Sequence, residues 1–228
     1  MKKLLPLSSL LLSFSVFGQY SPQEIKKFKI QKLTKLLVTK NHEAVRKTAI
    51  WYDEKGNDTA EYNGAELFRR TKYEYNSKGQ AITRIRFGAD GNETETAIYT
   101  YKPDGSCTIS NTDKSFGMTD VTYCNKAGNT TKTISPDKSE KIYTYDAKGH
   151  LLKIKSNAGD NGGVIIDQQY TYNANGQLTR VVSKGDFKWT QTYRYGPKGL
   201  LAKSKMNSVT DGVADPEVNY TYEYEFRK

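Results

Sequence analysis

The chain has 228 residues, 35 of them Lys or Arg against 25 Asp or Glu, for a formal charge of +10 with only two histidines and two cysteines. His42 and His150 stand far apart in neither zinc-type nor nucleophile-type spacing, and no glycine-rich phosphate loop, Gly-x-Ser-x-Gly elbow or EF-hand series occurs. Zinc, P-loop and serine-hydrolase chemistry therefore have no residues to run on. No catalytic residue, metal site or cofactor is assigned, and a non-enzymatic protein is expected.

At the amino terminus Lys2 and Lys3 precede an apolar stretch from Leu4 to Val16, and a small residue, Gly18, follows. This pattern is a secretory signal peptide over residues 1–18, shorter than the ~20 apolar residues of a spanning helix. The expected product is exported, periplasmic or secreted, with no transmembrane segment once the signal is removed.

Ser21-Pro22-Gln23-Glu24 then has the form of a capping box with proline at the first helical position. Ile25, Phe28, Leu33, Leu36 and Leu37 follow on one stripe at helical spacing. A basic amphipathic helix over residues 19–42 is predicted, ending near Lys40 and docked through those five side chains. Its lysines, Lys26 to Lys40, read first as a solvated helix face and second as a contact for anionic lipid, polysaccharide or nucleic acid.

From residue 43 to 228 the period changes to two. Tyrosine pairs are followed four residues later by glycine: Tyr73-x-Tyr75 with Gly79, Tyr99-x-Tyr101 with Gly105, Tyr143-x-Tyr145 with Gly149, Tyr170-x-Tyr172 with Gly176, and Tyr193-x-Tyr195 with Gly199. Degenerate copies end at Gly56 and Gly128. In each pair both rings point to one face of a strand, and the short polar run ending in glycine supplies the positive φ of a tight hairpin. Pairing the residue two after each glycine (Ala81, Cys107, Thr130, Leu151, Leu178, Leu201) with the second tyrosine position of the next repeat centres every connection on a turn-like segment such as Asp90-Gly91 or Asp211-Gly212. The fold class is all-β: an antiparallel hairpin meander forming a curled sheet, half barrel or β-spiral, with closure into a barrel left open, and one amino-terminal amphipathic helix.

Tyr143-Thr144-Tyr145-Asp146-Ala147-Lys148-Gly149-His150-Leu151 and the matching run from Tyr170 to Leu178 resemble the YD repeat of the RHS family. Large members of that family wind many repeats into a shell around a toxic cargo. Too few repeats are present here to enclose one, so the resemblance implies the curled sheet and not the delivery role. It also brings an association with carbohydrate and cell-surface binding.

Two further expectations follow from the repeat register. Cys107 fills the leucine slot and Cys124 the second tyrosine slot of the next repeat, so they become cross-strand neighbours and, in an exported protein, a disulfide. The five tyrosine pairs from Tyr73 to Tyr195 are either core or a stacking surface for sugar rings. The expected function is an exported binding protein that holds a cell-envelope protein or glycan on the curved Tyr-rich sheet, nucleic acid being an unlikely partner. A carbohydrate-active hydrolase on the same sheet and a lipid or lipoprotein carrier are the alternatives.

Overall fold

The computed structural model describes residues 20, 22–38, 44–157, 165–210 and 212–228. The expected signal peptide, Ser21 of the capping box, Lys40 and His42 lie outside them. A six-residue helix, α1 (Pro22–Lys27), leads into β1 (Ile30–Val38) and β2 (Ala44–Tyr52). Next come β3 (Asp58–Asn63), β4 (Glu66–Tyr75), β5 (Ala81–Gly88), β6 (Glu93–Tyr101), β7 (Cys107–Asp113) and β8 (Met118–Cys124). The chain continues through β9 (Thr130–Ile134), β10 (Glu140–Tyr145), β11 (Leu151–Ser156), β12 (Asp167–Tyr172), β13 (Leu178–Ser183) and β14 (Lys188–Tyr195). It finishes with β15 (Leu201–Thr210), the two-residue β16 (Val213–Ala214) and β17 (Val218–Phe226).

Each strand from β2 to β15 pairs antiparallel with its successor, β15 pairs on to β17, and β1 lies between β17 and β2. Sixteen strands thus close into a barrel, and β16 only extends a hairpin from β15. The expected curled sheet is present, but it has no open edge.

The helix expected over residues 19–42 is corrected to α1 alone. Lys29 adopts φ 53°, in the left-handed region, and ends the helical run. Beyond it Ile30–Val38 is strand, because β2 and β17 would otherwise each present a row of unpaired amides and carbonyls. A strand between them satisfies both edges, and that outweighs the weak local preference for helix. Ile25, Phe28 and Leu33 do join the core, whereas Leu36 and Leu37 are only half-buried strand residues.

The hairpins ending at Gly56, Gly79, Gly105, Gly128, Gly149, Gly176 and Gly199 share one end of the barrel, here the glycine end. Their construction explains why Asp or Asn follows the second tyrosine. Asn173 N–H donates to the Gln177 carbonyl (2.9 Å), Gly176 N–H donates to the Asn173 carbonyl (3.0 Å), and Asn173 Oδ1 accepts from the amides of Asn175 and Gln177 (3.0 and 2.9 Å). Asp53, Asn76, Asn125 and Asp146 cap their turns in the same way. The far-end turns at Gly91, Gly117, Lys138 and Gly212 also fall where the register placed them, each with a positive φ at that residue; the one expected over residues 159–163 lies outside the described residues.

The register itself needs one correction. Six of the seven glycine-end hairpins carry a β-bulge beside the second tyrosine slot, as between Thr171 and Tyr172, and only the β6–β7 hairpin is regular. The extra residue shifts the slot pairing by one position in the bulged repeats. In the regular one the expected partners face each other, Cys107 opposite Cys124.

Inside the barrel, α1 and Tyr20 plug the glycine end. Ile25, Ile30 and Leu33 pack there with Val181, Tyr193, Leu200, Leu201 and Tyr222. Pro22 lies so close to the first hairpin that a β-carbon on Gly56 would stand 2.1 Å from its carbonyl oxygen. Arg227 ties down the carboxy-terminal end of the chain at the same place, its amide donating to Lys29 O (2.8 Å) and its guanidinium to Tyr52 O (2.6 Å). The outer wall carries exposed charges such as Lys72, Glu74, Arg194, Lys203 and Glu223, unlike the apolar band of a barrel that spans a bilayer. Among the described residues no helix is long and apolar enough to cross a membrane.

Candidate functional site on the inner face

All ten paired tyrosines project to the inner face. Tyr193 is buried and the other nine are half-buried. The second ring of each pair has a structural task that the sequence pattern does not announce. Tyr101, Tyr145, Tyr172 and Tyr195 donate their hydroxyls to the carbonyls of Ala81, Thr130, Leu151 and Leu178, at 2.8–3.0 Å. Tyr224 does the same to Leu201 O at 2.7 Å. Each acceptor lies two residues past the preceding hairpin glycine, so in five repeats a tyrosine ties the repeat to the one before it, while Tyr75 bonds the Asp53 and Asn57 side chains instead. The separation between that position and the tyrosine varies from 15 to 23 residues, so spacing alone does not reveal the bond.

Cys124 has no hydroxyl to offer, and it follows the one hairpin without a bulge. There a Cys107–Cys124 disulfide takes over, with the Cα atoms 4.9 Å apart. Neighbouring hairpin tips are joined in a further way. The His150 ring stacks on Tyr172 (4.8 Å between centroids), its Nδ1 lies 2.8 Å from Asp146 Oδ2, and its edge covers Gly176. Gln177 reaches over Gly199 in the next hairpin and donates to its carbonyl (3.1 Å). His150 is therefore a linker between turns.

The inner face divides into two sectors. The apolar cluster with α1 occupies β12 to β15, β17 and β1. On β3 to β8 the only buried apolar residues are Ala97, Cys107 and Cys124; Leu67 and Ile109 also face inward, half-buried, and most other inward positions are tyrosine or polar. Arg69 Nη2 lies 2.6 Å from Glu61 Oε2, and Arg86 Nη1 donates to both Glu95 oxygens (3.0 and 3.2 Å). Arg84 pairs with Glu95 and donates to Asn111 Oδ1 (3.1 Å). Tyr73 donates its hydroxyl to Asp58 Oδ1 at 2.7 Å. Burial would raise the Glu95 carboxyl, but Arg86 and Arg84 outweigh it and hold the pKa below the usual carboxylate range. The Tyr73 phenol is pushed far up by burial and by the Asp58 charge. Among the described residues no group of His, Cys, Asp and Glu is arranged to hold a metal ion.

This is a pre-organised, charge-balanced surface, with rings at its edge and arginine forks committed to carboxylates. Residues 23–210 match the family described as Teneurin YD-shell. The chain belongs to the Teneurin YD-shell family. Among solved structures, a porin-like protein from Bacteroides uniformis superposes on this YD-shell chain with a TM-score of 0.50 at 14% identity, covering 87% of this chain and 97% of that one. That likeness is one of fold. The TcdB2-TccC3-Cdc42 structure (14% identity, TM-score 0.38) matches 75% of this chain but 9% of its own. The Photorhabdus luminescens Tc holotoxin pore (12%, TM-score 0.33) matches 82% of this chain and 14% of its own. No curated protein matches the YD-shell chain.

Proposed function

We propose that this YD-shell protein is a non-enzymatic, exported binding protein that holds a protein or glycan partner against the polar sector of its inner face. The observation that carries the reading is the division of the barrel interior. One sector is closed by α1 and an apolar core, whereas β3 to β8 turn inward a set of half-buried tyrosines, arginines and carboxylates. Rings such as Tyr73 and Tyr99 beside fixed ion pairs offer a ligand apolar faces and oriented polar edges together.

The same side chains speak against the alternatives. Glu95, kept ionised by two arginines, is poorly suited to the protonated role in glycoside hydrolysis. Charges at this density would have to be desolvated to take up an acyl chain.

A glycan array and a pull-down from cell-envelope extract test the reading. Retention of a glycan or a single envelope protein is expected, weakened at least about tenfold by Tyr73→Ala together with Tyr99→Ala. A folded protein that retains nothing in either assay would refute it.

A further inference from the structure

The barrel is electrically two-ended, and the repeat is what makes it so. Each glycine-end hairpin except the one at Gly176 carries a lysine at its tip: Lys55, Lys78, Lys102, Lys126, Lys148 and Lys198, all exposed. The plug brings Lys26, Lys27 and Lys29, also exposed, into the middle of the same end. Among the described residues none of these nine ammonium groups takes part in an ion pair, though Lys27 and Lys55 lie over the rings of Phe28 and Tyr75. The same end also carries Glu24, Asp53, Glu54, Asp104 and Asp146, so nine lysines stand against five carboxylates. The far end is the reverse. In its loops and at the adjoining strand ends Glu66, Asp90, Asp137, Asp186, Asp215 and Glu217 outnumber Lys114, Lys138, Lys184 and Lys188.

We propose that the glycine end is a docking face for the surface of an anionic phospholipid membrane. Consecutive hairpins lie two strands apart, about 9.5 Å, and the lysine tips follow the rim with two wider gaps, at the Gly176 hairpin and across the β17–β1 seam, with three more lysines inside. A linear polyanion can follow only an arc of such a rim, whereas a flat leaflet meets all of it at once. The acidic far end is repelled by the same surface and sets the orientation. Phe28 is partly covered within the plug, Phe226 is exposed near it but stacked on Tyr224, and the more exposed Phe116 and Val213 lie at the far end, so attachment is mainly electrostatic. The inner face stays free, and this inference does not depend on what it holds.

The test is sedimentation of the full chain with vesicles of phosphatidylcholine alone or mixed with phosphatidylglycerol, the apolar leader being common to every arm. Extra binding to the anionic vesicles is expected, falling as salt is raised. Replacing the six hairpin lysines by glutamine should weaken that extra binding at least about tenfold. The same number of changes elsewhere (Lys47, Lys72, Lys155, Lys184, Lys188 and Lys203 to Gln) should leave most of it. Equal losses in both variants, or none in the first, would overturn the proposal. Without any variant, anionic vesicles should shield the glycine-end lysines of the wild-type protein from an amine-reactive label and leave Lys72 and Lys188 labelled; uniform labelling would overturn it as well. Binding to a soluble polyuronate with no extra binding to anionic vesicles would make the occupant an acidic glycan, contrary to the proposal.

Discussion

At the residue scale, the tyrosine pairs are a joinery system before they are anything else. A hydroxyl reaching back to a carbonyl of the previous repeat contributes about 1 kcal/mol. Tyr195→Phe keeps the ring and removes only that bond, so a thermal or urea unfolding curve should report a loss of about that size while strand content is unchanged. Tyr20 and Tyr224 share a hydroxyl contact of 3.2 Å, and Tyr20 also accepts the Leu201 amide at 2.6 Å. The plug is thus locked by the same chemistry that joins the repeats. Gly56 is under a separate constraint. With φ +89° and the Pro22 carbonyl against its Cα, Gly56→Ala should displace the plug and lower the melting temperature by several degrees.

At the scale of the element, the β6–β7 hairpin stands apart. Where its six sisters use a bulge, and five of those are followed by a tyrosine hydroxyl bond, it uses a regular turn followed by a disulfide. Closing 17 residues should stabilise the fold by about 3 kcal/mol in the loop-entropy model. The expected measurement is a melting curve that drops on reduction in the wild type, and in Cys107→Ala/Cys124→Ala starts low and ignores reductant. A wild type indifferent to reductant would contradict this.

The repeat made the hairpins, their inward tyrosines and the cysteine pairing legible, because period-two alternation and turn glycines are local signals. It could not make β1 legible. Residues 30–38 carry a helical stripe as well as a strand, and the choice is settled by edges supplied from residues far away in the chain. The arginine and carboxylate cluster was hidden for the same reason. Glu61, Arg69, Arg84, Arg86 and Glu95 lie on four different strands, and only their shared orientation inside the barrel brings them together.

At the scale of the whole molecule, burial sets the pH response. Tyr75, Tyr145 and Tyr172 are each raised from 10.0 to about 12, burial being the leading cause, helped by Asp53, Tyr143 and Asp146 respectively. Their contribution is complete below pH 10. Above it the unfolded chain gives up phenolic protons that the folded chain keeps, so stability falls as pH rises toward 12. Lys35 acts in the opposite sense. Burial, then the Arg46 charge, lowers it from 10.5 to about 8, so the unfolded chain binds more protons between those values and stability rises there. Denaturant midpoints measured across this range should climb from pH 8 and then drop beyond 10, and Lys35→Met should flatten the climb alone.

The seam between β1 and β17 sets the order of assembly. Lys32 and Glu225, bonded across it at 2.6 Å, are 193 residues apart in sequence. Every other strand can find its partner as soon as its neighbour is made, but this pairing waits for almost the entire chain, and the loop it closes carries the largest entropic cost in the molecule. Until that moment β1, paired only with β2, presents an open edge and the plug has only part of its wall. The chain therefore passes through a growing, one-sided sheet and becomes a barrel in a single late step.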